Sequence, residues 1–151
     1  MVACGEIDEL MSILGVARCV SKDTSIAGRL LWIQQALFVC AAEVATPEDR
    51  RAQLKKRVDR GCVQDLEARC REIESATKMP SDFVVPGGSL QSAYIDYGRA
   101  VARRCERTIV SLSRSGELDN KSLLAWFNRV SDYLYLIARL CDCPPEARDA
   151  E

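Results

Sequence analysis

The stretch YGRAVARRCERTIVSL carries four arginines within nine residues. Winding it at about 100° per residue places Arg99, Arg103 and Arg107 on one stripe of a helix. Glu106 lies at the edge of that stripe, and Arg104 points further away. Guanidinium groups bind phosphate and carboxylate oxygens through paired hydrogen bonds. The stripe therefore predicts either a polyphosphate site or a salt-bridged interface, with a solvated basic face as the alternative.

Repulsion among these arginines is the reason to expect an anion beside them. Like charges four residues apart on a helix repel by a few tenths of a kcal/mol each. The opposite side of the same helix is apolar and predicts burial of Val101, Cys105, Ile109 and Leu112. Burial of the apolar side therefore determines the direction in which the basic stripe points.

The last predicted helix carries a second polar stripe, made of Asn128, Asp132, Tyr135 and Arg139. Its core side is predicted to consist of Trp126, Val130, Leu134 and Ile137. An asparagine and an aspartate one turn apart could hold a nucleotide, a metal-bound water or the arginines of the preceding helix. A solvent-exposed helix face remains the alternative. The segment VVPGGS could form an anion-binding turn before a helix, although Pro-Gly-Gly is first of all a turn.

The sequence has eight cysteines and no histidine. Without histidine, the Ser-His and Cys-His nucleophile pairs and the commonest general base are excluded. The cysteines lie within apolar helical patterns and lack paired metal-ligand spacing, which predicts reduced, mostly buried thiols and gives no side-chain metal site. An enzyme built from these residues would work by positioning and charge stabilisation.

Length and charge limit the classes of protein to which the chain can belong. With 151 residues and a net charge of −1, the chain suits one domain and does not resemble a general nucleic-acid binder. The longest apolar run is interrupted by Gln34 and Gln35, so neither a membrane span nor a signal peptide is expected, and a cytoplasmic protein is the default. We expect one helical domain over 1–143 and a polar C-terminal tail over 144–151.

Periodicity is helical almost throughout and favours an all-α bundle of about five helices. The first helix should bury Ile7, Leu10, Met11, Leu14 and Ala17, and the second should bury Trp32, Ile33, Leu37 and Phe38. Residues 49–59 are polar and either helical or irregular. Ser89 is the expected cap of the arginine helix. The predicted helices are 5–19, 25–45, 61–77, 89–114 and 119–141.

Five blocks, in order, resemble the PduO-type ATP:cob(I)alamin adenosyltransferases. They are GEIDEL, IQQALFVCAAEVATP, FVVPGGS, RAVARRCER and NRVSDYLYLIAR, and they span nearly the whole chain. The resemblance implies a five-helix bundle that assembles as a homotrimer with sites between subunits. It implies transfer of the 5′-deoxyadenosyl group of ATP, with Mg²⁺, to the cobalt of cob(I)alamin, with release of triphosphate. A cobalamin-dependent acceptor enzyme is a further partner, and neither nucleic acid nor membrane is expected.

The resemblance also assigns roles to residues. Arg103, Glu106 and Asn128 would be catalytic, and ATP would be bound by Arg103, Arg107 and Asn128. Phe83 would press on the lower face of the corrin and keep the cobalt without its lower ligand. Asp132 would be on the cobalamin side, where it and Arg129 support the site. Asp8 would pair with Arg99 across the subunit boundary.

Family members normally begin with a segment of the type Thr-x-x-Gly-Asp-x-Gly-x-Thr, which wraps the triphosphate. This sequence has no such segment before Gly5. Two alternatives to the enzyme therefore stay open: a non-catalytic relative that binds or delivers a corrinoid, and a helical interaction module with solvated polar stripes.

Overall fold

The computed structural model describes residues 2–143, and every regular element among them is helical. The elements are α1 (Val2–Cys19), α2 (Thr24–Ala45), α3 (Glu48–Arg51), α4 (Arg60–Ala76), α5 (Leu90–Arg114) and α6 (Lys121–Asp142). The all-α prediction and the five long helices are confirmed. The stretch 49–59 is expected to be helical or irregular, and only the short helix α3 extends into it, at its start. The predicted tail lies outside the described residues.

Polar side chains cap the long helices where the sequence supplies them. Asp23, Asp59 and Asn120 each accept hydrogen bonds from backbone N–H groups of the first turn that follows. Ser89 caps α5 as predicted, and Ser92 completes the arrangement by accepting from the Ser89 backbone N–H. These caps satisfy N–H groups that have no partner within the helix. They fix where the chemistry-bearing helices begin.

The helices pack around one core, with α5 between α1 and α6. Helix α2 packs on α1, and α4 packs on α6. The approach of α1 to α5 is close at Gly98, where a Cβ would lie 2.9 Å from Cδ2 of Leu14. The core faces predicted for α5 and α6 are correct, apart from Leu112, which is partly buried.

One predicted core residue is exposed. Phe38 is 66% exposed on α2, whereas Ile33 and Leu37 are buried and Trp32 is half-buried beneath the Arg69 guanidinium. Helix α2 is apolar on most of its circumference, so periodicity alone does not select the face that meets α1. Among the described helices, α2 has the length and apolar composition to cross a membrane, as do many buried helices of soluble proteins.

A buried carboxylate ties the irregular segment after α3 to the bundle. Glu43 is fully buried on α2, and its Oε1 accepts from Arg57 Nη2 at 2.8 Å and from Asn120 Nδ2 at 2.7 Å. Its Oε2 accepts from the Val58 backbone N–H at 3.0 Å. Since Asn120 also caps α6, this one carboxylate joins α2, the segment before α4 and the start of α6.

We expect Glu43→Ala to lower the free energy of unfolding by about 3 kcal/mol, because it leaves buried donors without an acceptor. Chemical denaturation followed by circular dichroism measures this change. The exposed Glu48→Ala is the matched control and should stay within about 0.5 kcal/mol of the parent. Equal effects of the two substitutions would show that the Glu43 cluster does not hold these segments together.

Candidate functional site

The arginines of α5 separate in the way the helical winding predicts. Arg104 turns to α1, where it forms ion pairs with Glu6 at 3.4 Å and with Glu9. Arg103 lies on the other side and is half-exposed. Because Arg104 serves the α1–α5 contact, it is removed from the stripe that faces α6.

Three of the predicted site residues form one hydrogen-bonded set. Arg103 Nη1 lies 2.9 Å from Glu106 Oε2, and Asn128 Nδ2 donates to Glu106 Oε1 at 2.9 Å. Glu106 therefore uses one oxygen for a cation on its own helix and the other for an amide on α6. The carboxylate thereby links α5 to α6. Of the three side chains, Arg103 also lines the cleft between α4, α5 and α6, whereas Glu106 and Asn128 do not.

A cleft of about 740 Å³ opens between α4, α5 and α6. Its charged lining is mixed, with Arg71, Arg99, Arg103 and Arg129 on the basic side and Glu67, Glu74 and Asp132 on the acidic side. Its other lining residues are Cys70, Met79, Ser131, Tyr135 and Leu136. The lining is thus mainly charged, with a smaller apolar part formed by Cys70, Met79 and Leu136, and it can take a ligand that has both anionic and apolar groups.

The predicted supporting residues lie within this cleft. Arg129 Nη1 donates to Asp132 Oδ2 at 3.0 Å, and Arg129 Nε lies 3.4 Å from Glu67 Oε1. The hydrogen bond that Arg129 donates to Asp132 is the main cause that raises the pKa of the Arg129 guanidinium. Together the three side chains link α4 to α6 along the wall of the cleft.

Phe83 and Arg107 do not line the cleft within this chain. Phe83 is 93% exposed in the segment between α4 and α5, so its ring is free to meet a ligand. The same segment reaches the cleft through Met79, and it turns at Gly87, whose φ of 113° suits glycine. Arg107 is exposed one turn beyond Arg103.

The pairing of Asp8 with Arg99 concerns two subunits and stays a prediction. Within the chain, Asp8 is exposed, and the ion pairs found over residues 2–143 do not include it. Arg99 Nε instead lies 3.4 Å from Asp96 Oδ1 on its own helix.

Sequence reasoning missed the most deeply buried ion pair. Arg139 Nη2 donates to Asp96 Oδ2 at 2.5 Å, and the side chains are only 2% and 4% exposed. The sequence places Arg139 on the second polar stripe, and the close packing of α5 on α6 encloses it there, which excludes the solvent-exposed alternative for this residue. One signal was available, because Asp96 precedes Arg103 by seven residues and so falls on the basic stripe.

The thiols stay protonated where they are buried. Burial raises the pKa of Cys70, on the cleft wall, to about 11 and that of Cys105 to about 12. The described residues contain no group of three or more histidine, cysteine or acidic side chains that could hold a metal ion. Only Cys40, Cys70 and Cys105 are buried, so the prediction of mostly buried thiols is wrong. The raised pKa of Cys70 means that this cleft residue is not a thiolate nucleophile at neutral pH.

Comparison with known proteins matches this chain to one family by sequence. The sequence model of the family described as cobalamin adenosyltransferase matches residues 1–141. A corrinoid adenosyltransferase of Citrobacter freundii is 31% identical over 144 residues, 95% of this chain and 81% of that protein. One of Bacillus subtilis is 30% identical over 151 residues, 97% of this chain and 76% of that protein.

Solved structures agree with the sequence matches. A variant of the PduO-type ATP:corrinoid adenosyltransferase of Lactobacillus reuteri complexed with ATP has a TM-score of 0.82 and 32% identity, over 93% of this chain and 78% of that one. Another variant of it, complexed with cobalamin and ATP, has a TM-score of 0.81 and 32% identity, over 93% and 76% of the two chains.

Proposed function

Because the chain belongs to the cobalamin adenosyltransferase family, we propose that it transfers the 5′-deoxyadenosyl group of ATP to the cobalt of a reduced corrinoid. The observation that carries the proposal is the hydrogen-bonded set of Arg103, Glu106 and Asn128, which meets through Arg103 a cleft lined by four arginines, three carboxylates and a smaller apolar part. ATP and the corrinoid are the two substrates, and triphosphate is the leaving group.

We assign the binding of ATP to residues of α5 and α6. Arg103 contacts the phosphates, with Arg107 one turn further along the same stripe. Asn128 holds the nucleotide, while Glu106 fixes the orientation of both Arg103 and Asn128. Guanidinium groups aimed at the leaving phosphates offset the charge that develops as triphosphate departs.

Mg²⁺ would arrive with ATP. This cation keeps several waters and commonly binds phosphate oxygens with only one or two protein carboxylates. The described residues contain no dedicated cluster of three metal ligands, and Mg²⁺ bound in this way needs none. Glu106, which contacts the phosphate-binding Arg103, is a carboxylate that could accept a hydrogen bond from a metal-bound water.

The corrinoid side is assigned to the exposed Phe83 ring and to Asp132, with Arg129 supporting Asp132. Cobalt in its lowest oxidation state supplies an electron pair, which forms the cobalt–carbon bond as the bond between the 5′ carbon and the triphosphate oxygen breaks. The substrate carries the nucleophile, so the protein needs neither histidine nor a thiolate. Its task is to align the two substrates and to stabilise the leaving group.

The active assembly is proposed to be a homotrimer in the cytoplasm, with each site completed across a subunit boundary by Asp8 and Arg99. The exposure of Asp8 and the half-exposure of Arg99 support this pairing. A corrinoid-dependent enzyme that accepts the product is the expected further partner.

We expect the chain, incubated without oxygen with ATP, Mg²⁺ and cob(I)alamin, to form adenosylcobalamin that is detected by absorbance. Arg103→Ala should lower kcat/KM for ATP at least about 10-fold, because it removes a phosphate contact. Arg104→Ala is the matched control on the same helix and should change it less than about 3-fold, since Arg104 faces Glu6 and Glu9.

Equal losses in the Arg103 and Arg104 variants would contradict the assignment of the phosphate stripe. A parent chain that binds corrinoid without forming product would instead indicate a carrier protein. Binding of neither substrate would reject both functions and leave a helical interaction module.

We expect Asp8→Ala and Arg99→Ala each to shift the chain from trimer toward monomer, because both remove a charge pair at the proposed subunit boundary. Light scattering coupled to size-exclusion chromatography measures the mass across a dilution series. Asp65→Ala, an exposed acid on α4, is the control and should leave the trimer intact. If both variants remain fully trimeric and fully active, the proposed pairing of Asp8 with Arg99 is contradicted.

A further inference from the structure

The buried pair of Asp96 and Arg139 touches the site at more than one point. Asp96 holds buried Arg139 with Oδ2 at 2.5 Å and faces Arg99, on the cleft wall, with Oδ1 at 3.4 Å. The Arg139 guanidinium lies 5.2 Å from the ring centroid of Tyr135, which also lines the cleft. Two residues of the cleft wall are therefore in contact with one enclosed ion pair.

The same pair reaches the segment that carries Phe83. Arg139 Nη2 lies 3.2 Å from Asp142 Oδ2 at the end of α6. A Cβ on Gly88 would lie 2.5 Å from Asp142 Oδ1, so the segment before α5 rests directly on that carboxylate. The contacts run from the Phe83 segment through Asp142 and Arg139 to Asp96 and then to Arg99.

Stability alone does not account for this arrangement. A buried ion pair pays desolvation on both partners and is often no more stable than apolar side chains of similar size. Here one further group is left unsatisfied, because the buried Nε of Arg139 has no hydrogen-bond partner among the described residues. A feature with little net stabilisation that connects two parts of a site points to a role in geometry.

We propose that Asp96 and Arg139 are positioning residues that set the Phe83 segment and Arg99 in a fixed relation. This inference rests on the proposed function, in which Phe83 meets the corrinoid and Arg103, one turn beyond Arg99 on α5, meets the ATP phosphates. The cluster contacts the Phe83 segment through Asp142 and contacts Arg99 through Asp96. Holding both contacts fixes the distance between the corrinoid and ATP. Transfer needs that separation, since small misplacements of reacting atoms lower the rate strongly.

The first test removes both charges together. In Asp96→Leu with Arg139→Met, no uncompensated buried charge remains, so the melting temperature should stay within about 5 °C of the parent. The kcat should nevertheless fall at least about 10-fold, while KM for ATP changes less than about 3-fold. Each single variant should melt lower than the double variant, because it leaves one buried charge unpaired.

The second test leaves the ion pair's residues unchanged and breaks the contact between Asp142 and Arg139. Gly88→Ala places a methyl group against Asp142 Oδ1, so the carboxylate, as the mobile end of a side chain, turns away from Arg139. This substitution should lower kcat with the same small change in KM for ATP. Gly28→Ala on α2 is the matched control, because a Cβ there meets no atom within 4 Å. Gly88→Ala remains informative if the double variant does not fold.

The outcomes separate this inference from the function on which it rests. A parent chain that forms no adenosylcobalamin rejects the proposed function and this inference with it. If the parent is active and the double variant matches it in both melting temperature and kcat, the positioning role alone is overturned. Asp96 and Arg139 would then be a structural ion pair. A kcat for Gly88→Ala equal to that of Gly28→Ala overturns the positioning role as well. Loss of kcat in both Gly88→Ala and the folded double variant supports it.

Discussion

Four guanidinium groups on one helix need anionic partners, and three of them find carboxylates within the described part of the chain. Arg104 is matched by two glutamates of α1, Arg103 by Glu106, and Arg99 by Asp96. The matching carboxylates come from two sources: α1 on one side and α5 itself on the other. This leaves α5 with a basic stripe whose direction is fixed by the core contacts of its opposite face.

The packing of α5 between α1 and α6 converts that stripe into a site. Helix α6 brings Asn128 to Glu106, and α4, packed on α6, supplies the far wall of the cleft. Hydrogen bonds and ion pairs between side chains then hold the polar groups in fixed orientations. This suits a reaction in which the nucleophile belongs to a substrate, because the protein contributes alignment and charge rather than an activated side chain.

Local features of this fold could be predicted from the sequence. The five long helices, the Ser89 cap and the separation of Arg104 from Arg103 depend on periodicity and capping, which act over a few residues. The exposure of Phe38 was not predictable, since α2 is apolar on most of its surface. The Glu43 cluster and the Asp96–Arg139 pair depend on contacts between residues 77 and 43 positions apart, which no local pattern encodes.

The identity of the leaving group tests the central claim most directly. Phosphorus NMR of the complete reaction, with the corrinoid reduced in place, distinguishes triphosphate from pyrophosphate, phosphate and ADP. The account predicts one triphosphate released for each adenosylcobalamin formed, because attack at the 5′ carbon leaves all three phosphates joined. Release of ADP or pyrophosphate in place of triphosphate, or triphosphate without a cobalt–carbon product, would contradict it.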